Sequence, residues 1–227
     1  MAQRYRYYDF VMVAFVTVLL CSNLIGPAKI TEVNGIIFGA GVMFFPFSYI
    51  FGDVLTEVYG YQRARRVVWA GFAALGFAAF MSWAIISLPP AQSWPHQASL
   101  EIMFGATWRI VLASLIGFWT GELVNSYVMA KMKIWTQGKK LYTRTIGSTL
   151  VGQAVDSMLF YSIAFLGIWT TEQVLLVMFS NYTLKVLWEI LMTPITYKMV
   201  SFLKTQEGVD VYDIETDFTP FSVKIER

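Results

Sequence analysis

The chain carries one cysteine, Cys21, and one histidine, His96, in 227 residues. A lone cysteine inside an apolar run closes no intrachain disulfide, so it reads as a small core hydrophobe and says nothing about redox compartment. A single histidine, placed in a Pro-rich stretch, leaves no paired His or Cys ligands for a catalytic metal and no member for a nucleophilic triad. There is no Gly-rich phosphate loop ending in Lys and Ser or Thr, so the chain does not use ATP by that route. Charged residues make up 14% of the sequence, and the net charge of +2 is too small to suggest a nucleic-acid partner. These absences argue against an enzyme, a bound metal and a cofactor.

What the chain has instead is apolar length. Hydrophobic residues reach 56% and mean hydropathy is +0.54, a composition suited to lipid rather than water. A helix needs about 20 mostly apolar residues to cross the hydrocarbon core. Six segments meet that requirement, at 10–26, 35–56, 67–88, 110–130, 146–168 and 174–202. The segments between them are too short for a soluble catalytic domain. The first apolar run ends in Ser22, Asn23, Leu24, Ile25, Gly26 and Pro27 rather than a small-residue cleavage site, so it reads as a retained helix and not a signal peptide.

Orientation follows from the tendency of Lys and Arg beside transmembrane helices to stay in the cytoplasm. With the N-terminus inside, 14 of the 17 Lys and Arg residues fall on the cytoplasmic side, only Lys29 and Arg109 fall outside, and Lys185 lies within a helix. The expected fold class is therefore all-α integral membrane, six transmembrane helices with both termini cytoplasmic. Residues 1–204 form the transmembrane domain, and 205–227 a short acidic, partly disordered cytoplasmic tail with no functional role. Pro89, Pro90, Trp94 and Pro95 mark an outer loop lying at the interface, with His96 exposed on it.

Ionisable and amide residues inside apolar helices are costly, so they pair with one another or face a polar cavity. In the fourth segment Glu122 and Asn125 stand three residues apart and share a face with Ser126. The fifth has Gln153, Asp156 and Ser157; the sixth has Asn181, Lys185 and Glu189 at steps of four. Two readings are open: interhelical glue, with Lys185 neutralising Glu189 or Asp156, or a ligand site. The neighbouring pair Lys185 and Glu189 suits the first, while Glu122 and Asp156, with no cation on their own helix, suit the second. Asn23, after Ser22, is placed to bond either a ligand or a neighbouring backbone. Asp53 and Glu57, one turn apart before Arg63, Arg65 and Arg66, read either as an interfacial salt-bridge cluster or as a gate or proton site. The pairs Gly35 with Gly39 and Gly117 with Gly121 read as close helix packing.

Three stretches together carry a resemblance: Ser22 with Asn23, FPFSYIFGDVLTEVYGYQRARR over 45–66, and STLVGQAVDSMLFYSIAF over 148–165. They resemble the queuosine precursor transporter family, also called the vitamin uptake transporter family, and NYTLK at 181–185 fits its last helix. The similarity covers nearly the whole chain to about Leu203. One departure is the order of Glu122 and Asn125, since relatives carry an amide and then an acid there.

The resemblance implies an inner-membrane, multi-pass importer of 7-cyano-7-deazaguanine and 7-aminomethyl-7-deazaguanine, salvaged for queuosine in tRNA. It also implies kinship of fold with the substrate-binding subunits of energy-coupling-factor importers. The alternative function is thus a capture subunit that needs a separate energising partner, and a homo-oligomer is equally open. A deazaguanine edge offers two adjacent donors beside an acceptor oxygen. A carboxylate matches the donors and an amide serves both. The substrate-binding set expected on this basis is Asn23, Glu122, Asn125, Gln153, Asp156, Asn181 and Lys185, with Phe45, Phe160 or Tyr161 available for stacking.

Overall fold

A computed structural model describes residues 5–24, 30–33, 36–39, 43–105 and 108–222. Among these, seven α-helices follow one another: α1 (Tyr8–Leu24), α2 (Phe45–Tyr59), α3 (Tyr61–Ile86), α4 (Gln97–Phe104), α5 (Trp108–Trp135), α6 (Leu141–Phe165) and α7 (Thr171–Glu207). A two-stranded antiparallel hairpin, β1 (Ile30–Val33) and β2 (Ile36–Gly39), lies between α1 and α2 in the register Ile30 to Gly39 and Val33 to Ile36.

Three stretches are long and apolar enough by themselves to cross a membrane: Tyr61–Ile86, Gln97–Trp135 and Thr171–Glu207. Just 11% of the residues in the most apolar window of α3 and of α7 are buried inside the protein. The exposed remainder includes Phe77, Phe80, Phe179, Leu187 and Leu191. Side chains of this kind facing outward along a whole helix require lipid as their solvent. The protein is therefore a multi-pass membrane protein. α6, at 25 residues, spans about 37 Å at 1.5 Å per residue, and α7, at 37 residues, about 55 Å, so α7 overshoots the roughly 30 Å hydrocarbon core.

The second expected span, 35–56, is not one helix. Residues 36–39 are strand, and α2 has only 15 residues. Ile30, Thr31, Val33, Ile36 and Ile37 are β-branched and favour a strand, and the Asn34-Gly35 dipeptide is the strongest short hairpin signal. Pro46 sits in the first turn of α2, where a missing N–H costs nothing but from which a helix does not continue backwards. Of the proposed glycine pair, Gly35 lies outside the described residues and Gly39 ends β2.

The stretch 61–66, read as a loop, is the first turn and a half of α3. Gly60 makes this possible. Its φ of +83° and ψ of 168° are accessible almost only to glycine, so α2 and α3 meet at a single residue.

The tail departs most from expectation. Residues 208–222 are laid back along the end of the bundle instead of trailing from it. Asp213 is buried and accepts the Tyr61 amide on both carboxylate oxygens, at 3.1 and 3.0 Å, which caps the N-terminus of α3 from 152 residues away. Arg65 is also buried and donates to the carbonyls of Asp217 and Thr219, and Trp69 Nε1 donates to Pro220 O at 2.9 Å. The amides of Arg6 and Tyr7 reach Glu207 at 2.8 and 2.7 Å. The start of α1, the α2–α3 junction and the chain from Glu207 onward thus share one end of the molecule.

Candidate functional site

Helices α5 and α6 cross at very close range because their contact is lined with glycine. A Cβ added at Gly121 would lie 2.7 Å from Asp156 Cβ and 3.1 Å from Gly152 O. One added at Gly152 would lie 2.7 Å from Asn125 Cβ, and one at Gly117 would lie 2.9 Å from Asp156 Oδ1. The expected packing role of Gly117 and Gly121 is thereby given a partner, the α6 face carrying Gly152 and Asp156. The seam draws Asn125 of α5 and Asp156 of α6 into one layer, halfway along both helices.

Four helices meet in that layer. α5 supplies Glu122 and Asn125, α6 supplies Gln153, Asp156 and Ser157, α7 supplies Lys185 and Glu189, and α2 supplies Tyr49 and Asp53. Glu122, Asn125, Gln153, Ser157, Asp53 and Glu189 are all buried. Glu122 rests against the bare backbone of Gly52, where a Cβ would come within 3.2 Å of Oε2. Asn125 Nδ2 makes a long 3.5 Å contact with Asp53 Oδ1. Charge within the layer is unbalanced: Glu122 lies in the field of Asp156, Lys185 and Glu189, and Asp53 in that of Glu189, Glu122 and Glu57.

Lys185 does not pair with Glu189 on its own helix. It crosses to α6 and donates to Asp156 Oδ2 at 2.5 Å, with both side chains slightly exposed. Glu189 instead shares the layer with Asp53 of α2, which lies in its field. Several polar atoms of the layer are buried without a partner: Asn125 Oδ1, Ser157 Oγ, Asp53 Oδ2 and both oxygens of Glu189 receive no N–H or O–H donor. Among the described residues the Glu122 carboxylate and the Gln153 amide also have no hydrogen-bond partner. Each fully buried atom without a partner costs on the order of 1–3 kcal/mol, so the concentration of such atoms at Asn125, Ser157, Asp53 and Glu189 requires an explanation beyond packing.

Two expected site residues stand apart from this layer. Asn23, at the end of α1, donates its amide to Leu19 O at 2.9 Å and to Ser22 Oγ at 3.2 Å. It lines a separate cavity of about 260 Å³ with Ser82, Trp83, Trp108 and Ser114, toward the α4 end of the molecule. Asn181 donates to its own helix at Val177 O, 3.1 Å, and lies beside Tyr161, which is little more than one turn beyond Asp156 on α6. Of the aromatic rings proposed for stacking, Phe160 and Tyr161 pack edge to face at 5.1 Å, and the side chain of Phe45 lies outside the described residues.

One helical turn from Asp53 is a second polar layer. Glu57 is fully buried and accepts from Arg144 Nε at 2.7 Å and Nη2 at 2.8 Å, a two-pronged pair, and from Lys204. Lys133 Nζ is 3.5 Å away and is held more tightly by Glu57 O at 2.7 Å, Val211 O at 2.7 Å and Asp210 Oδ1 at 2.6 Å. Asp210 also takes Lys204 at 2.7 Å. Partial burial pushes the Asp210 carboxyl up, but the hydrogen bonds from Lys133 and Lys204 outweigh it and hold the group below the ordinary aspartate range. The expected partners of Glu57, Arg63, Arg65 and Arg66, are not used. Arg63 stacks on Tyr5 at 4.4 Å and Arg65 serves the tail.

Sequence spacing missed Tyr49, Arg144 and Lys133 as members of either layer, and underrated Asp53, Glu57 and Glu189. The available signal was Asp53 and Glu57 on an apolar helix, an acidic pair whose burial requires cations from elsewhere.

Comparison with known proteins bears on what such a layered bundle does. Residues 39–199 match the family described as "Putative vitamin uptake transporter". A protein of Bacillus subtilis (strain 168) named "Probable queuosine precursor transporter" is 32% identical over 199 residues, covering 87% of this chain and 86% of the relative. The "Queuosine precursor transporter" of Escherichia coli (strain K12) is 26% identical over 163 residues, 72% of this chain and 71% of the relative. No solved structure matches the chain. With polar groups gathered halfway along lipid-facing helices, and a family match across most of its length, this chain belongs to the vitamin uptake transporter family, a family of membrane transporters and not of enzymes.

Proposed function

We propose that the protein imports deazaguanine precursors of queuosine, 7-cyano-7-deazaguanine and 7-aminomethyl-7-deazaguanine, across the cytoplasmic (inner) membrane. The substrate name comes from the two relatives. The observation that carries the reading to this chain is the layer of buried, partnerless polar groups halfway along α5 and α6. In it the Glu122 carboxylate faces the two adjacent donors of the pyrimidine edge, while the Asn125 and Gln153 amides serve its acceptor oxygen and remaining donor. The Asp156 and Lys185 pair closes the layer on the α7 side, with Asn181 and Tyr161 one turn beyond. Asn23 acts outside the layer, at the mouth of the cavity beside α4.

The arrangement in the membrane is part of the proposal: six spans, α1, α2, α3, α5, α6 and α7, with α4 at the outer surface and both ends inside. The concentration of Lys and Arg at the end of the bundle shared by the start of α1, the α2–α3 junction and the tail supports that orientation.

In cells unable to make the precursors, this chain is expected to restore queuosine in tRNA at low external precursor, and an equal level from an empty vector refutes the proposal. The purified chain alone in liposomes should exchange internal for external precursor. Exchange that appears only when a second component is added points to a capture subunit instead.

A further inference from the structure

We infer that Asp53 of α2 and Glu189 of α7 form a proton-binding site that couples substrate movement to proton movement, an inference that rests on the transport reading above. The two carboxyl groups meet in the middle of the bundle and are among the most deeply buried polar side chains of the protein, 1% and 0% exposed. They belong to one layer on two helices, and Asp53 Oδ2 and both Glu189 oxygens receive no N–H or O–H donor. A buried carboxylate with no donor and no cation is costly in a medium of low dielectric, and two such like charges in one layer cannot both persist, so one of the two groups must carry a proton. The pair therefore holds one proton between two helices.

The surroundings leave that proton nowhere else to go within this conformation. From α5, Asn125 approaches Asp53 only at 3.5 Å, and Glu122 adds a like charge. On α2, Glu57 lies one turn away and Tyr49 faces Glu189 together with Glu122 and Asp156. The α7 lysine of this layer, Lys185, is engaged by Asp156 of α6. Lys133, Arg144 and Lys204 are held at the Glu57 layer. The Gly52 side of α2 meets the Glu122 carboxylate of α5 and the ring of Phe15 of α1.

Local backbone chemistry favours a site that changes shape. Pro194, inside α7, removes the helical donor to the carbonyl four residues before it, and Thr193 donates its hydroxyl to Glu189 O at 2.8 Å. Glu189 thus sits directly above the one turn of α7 whose backbone ladder is incomplete. When α2 and α7 separate, each carboxyl group meets water and the shared proton is released. When they close, one proton must be taken up again. No bond other than O–H forms or breaks, and the proton exchanges with solvent on whichever side is open.

The test uses the purified full chain in proteoliposomes with 7-cyano-7-deazaguanine, which is uncharged, and a pH-sensitive dye inside. Precursor added outside should acidify the interior, and an inward proton gradient of one pH unit should raise accumulation about tenfold for one proton per substrate. Replacing external sodium with choline should change neither result. Glu189→Gln and Asp53→Asn should lose both acidification and gradient-driven accumulation, and whatever exchange of internal for external precursor they retain should no longer respond to pH. Wild-type exchange without acidification, or accumulation that follows sodium instead of pH, overturns the coupling site and leaves the transport reading standing. Gradient-driven accumulation that survives in folded Glu189→Gln overturns it equally. Absence of wild-type exchange overturns the functional reading and the coupling with it.

Discussion

Glu57→Gln keeps the size of a fully buried side chain and removes the one charge that three cations share. In the structure Arg144 holds both oxygens at 2.7 and 2.8 Å, Lys133 stands 3.5 Å away, and Arg144 and Lys133 are almost wholly buried. The substituted amide offers one acceptor oxygen and turns an NH2 group toward donors. Asp210 remains for Lys133 and Lys204, while Arg144 keeps only the carbonyls of Gly138 and Lys139 and a 3.5 Å contact with Thr136 Oγ1. Breaking a buried pair by removing one partner costs about 3–5 kcal/mol, because the survivor stays desolvated and unpaired. For a chain of this size that corresponds to a fall in Tm on the order of 10 °C. The assay is thermal unfolding of the purified protein in detergent, with Glu57→Gln/Arg144→Met alongside. Removing the stranded guanidinium as well should recover more than half of the loss, since replacing both partners of a buried pair by uncharged groups is often close to neutral. A Glu57→Gln protein that melts within about 2 °C of wild type refutes the idea that this layer carries stability.

Four further outcomes are expected. Asp156→Asn should weaken precursor binding about tenfold to a hundredfold, from the loss of a charge-assisted hydrogen bond, measured as Kd on purified protein; unchanged affinity with a lowered apo Tm would reduce Asp156 to a partner for Lys185. Gly121→Val should destabilise by about 1–3 kcal/mol, since even its Cβ meets Asp156 and Gly152 O, whereas Gly76→Ala, with nothing within 4 Å, should melt like wild type. Reporter fusions after Ala2, Gly138 and Lys204 should read cytoplasmic and one after Ser93 periplasmic, and a periplasmic signal at Gly138 would refute the orientation. Because the Asp210 carboxyl is held below its ordinary 3.8, its contribution to tail docking is complete above that pH and disappears as pH falls through the lowered value. An acid-active protease should therefore begin to remove residues 209–227 only below about pH 4, and Asp210→Asn should be cut more readily than wild type at pH 5.

The apolar run length located most of the helices, because a lipid-facing helix is written residue by residue and no partner needs to be known. The hairpin at 30–39 was hidden by the same criterion: its residues are as apolar as a span, and only the Asn34-Gly35 dipeptide and the β-branched run distinguish it. Spacing also placed Glu122 with Asn125 and Gln153 with Asp156 on shared faces, and the close α5–α6 crossing brings those faces together. It did not show which charge pairs with which. Lys185 prefers Asp156 across the bundle to Glu189 one turn away, and Glu57 draws on Arg144, 87 residues distant, rather than the arginines just after it. The tail was illegible for the same reason. Its acidic residues look solvated in one dimension, yet Asp213 finds the open amide of Tyr61 and Asp210 two lysines only once the helices are assembled.

The two polar layers explain each other. Asp53 and Glu57 are four residues apart on α2, so only about 6 Å of helix separates a carboxyl group surrounded by cations from one that has none. Lys133, Arg144 and Lys204 are long enough to be drawn toward either acid, but each is fixed at the lower layer by additional partners: backbone carbonyls for Lys133 and Arg144, Asp210 for Lys133 and Lys204. The tail is what supplies Asp210 and Val211 to that layer, and Val211 packs where a Cβ of Gly60 would have to stand. With the cations held below, the middle layer keeps, among the described residues, four carboxyl groups, Asp53, Glu122, Asp156 and Glu189, against the single ammonium of Lys185. Such an excess of acid is stable in a membrane only if ligand donors or protons neutralise it. On the proposed reading those are the two species that a coupled importer of a donor-rich base has to bind, and the docked tail serves it by holding the cations away from the layer.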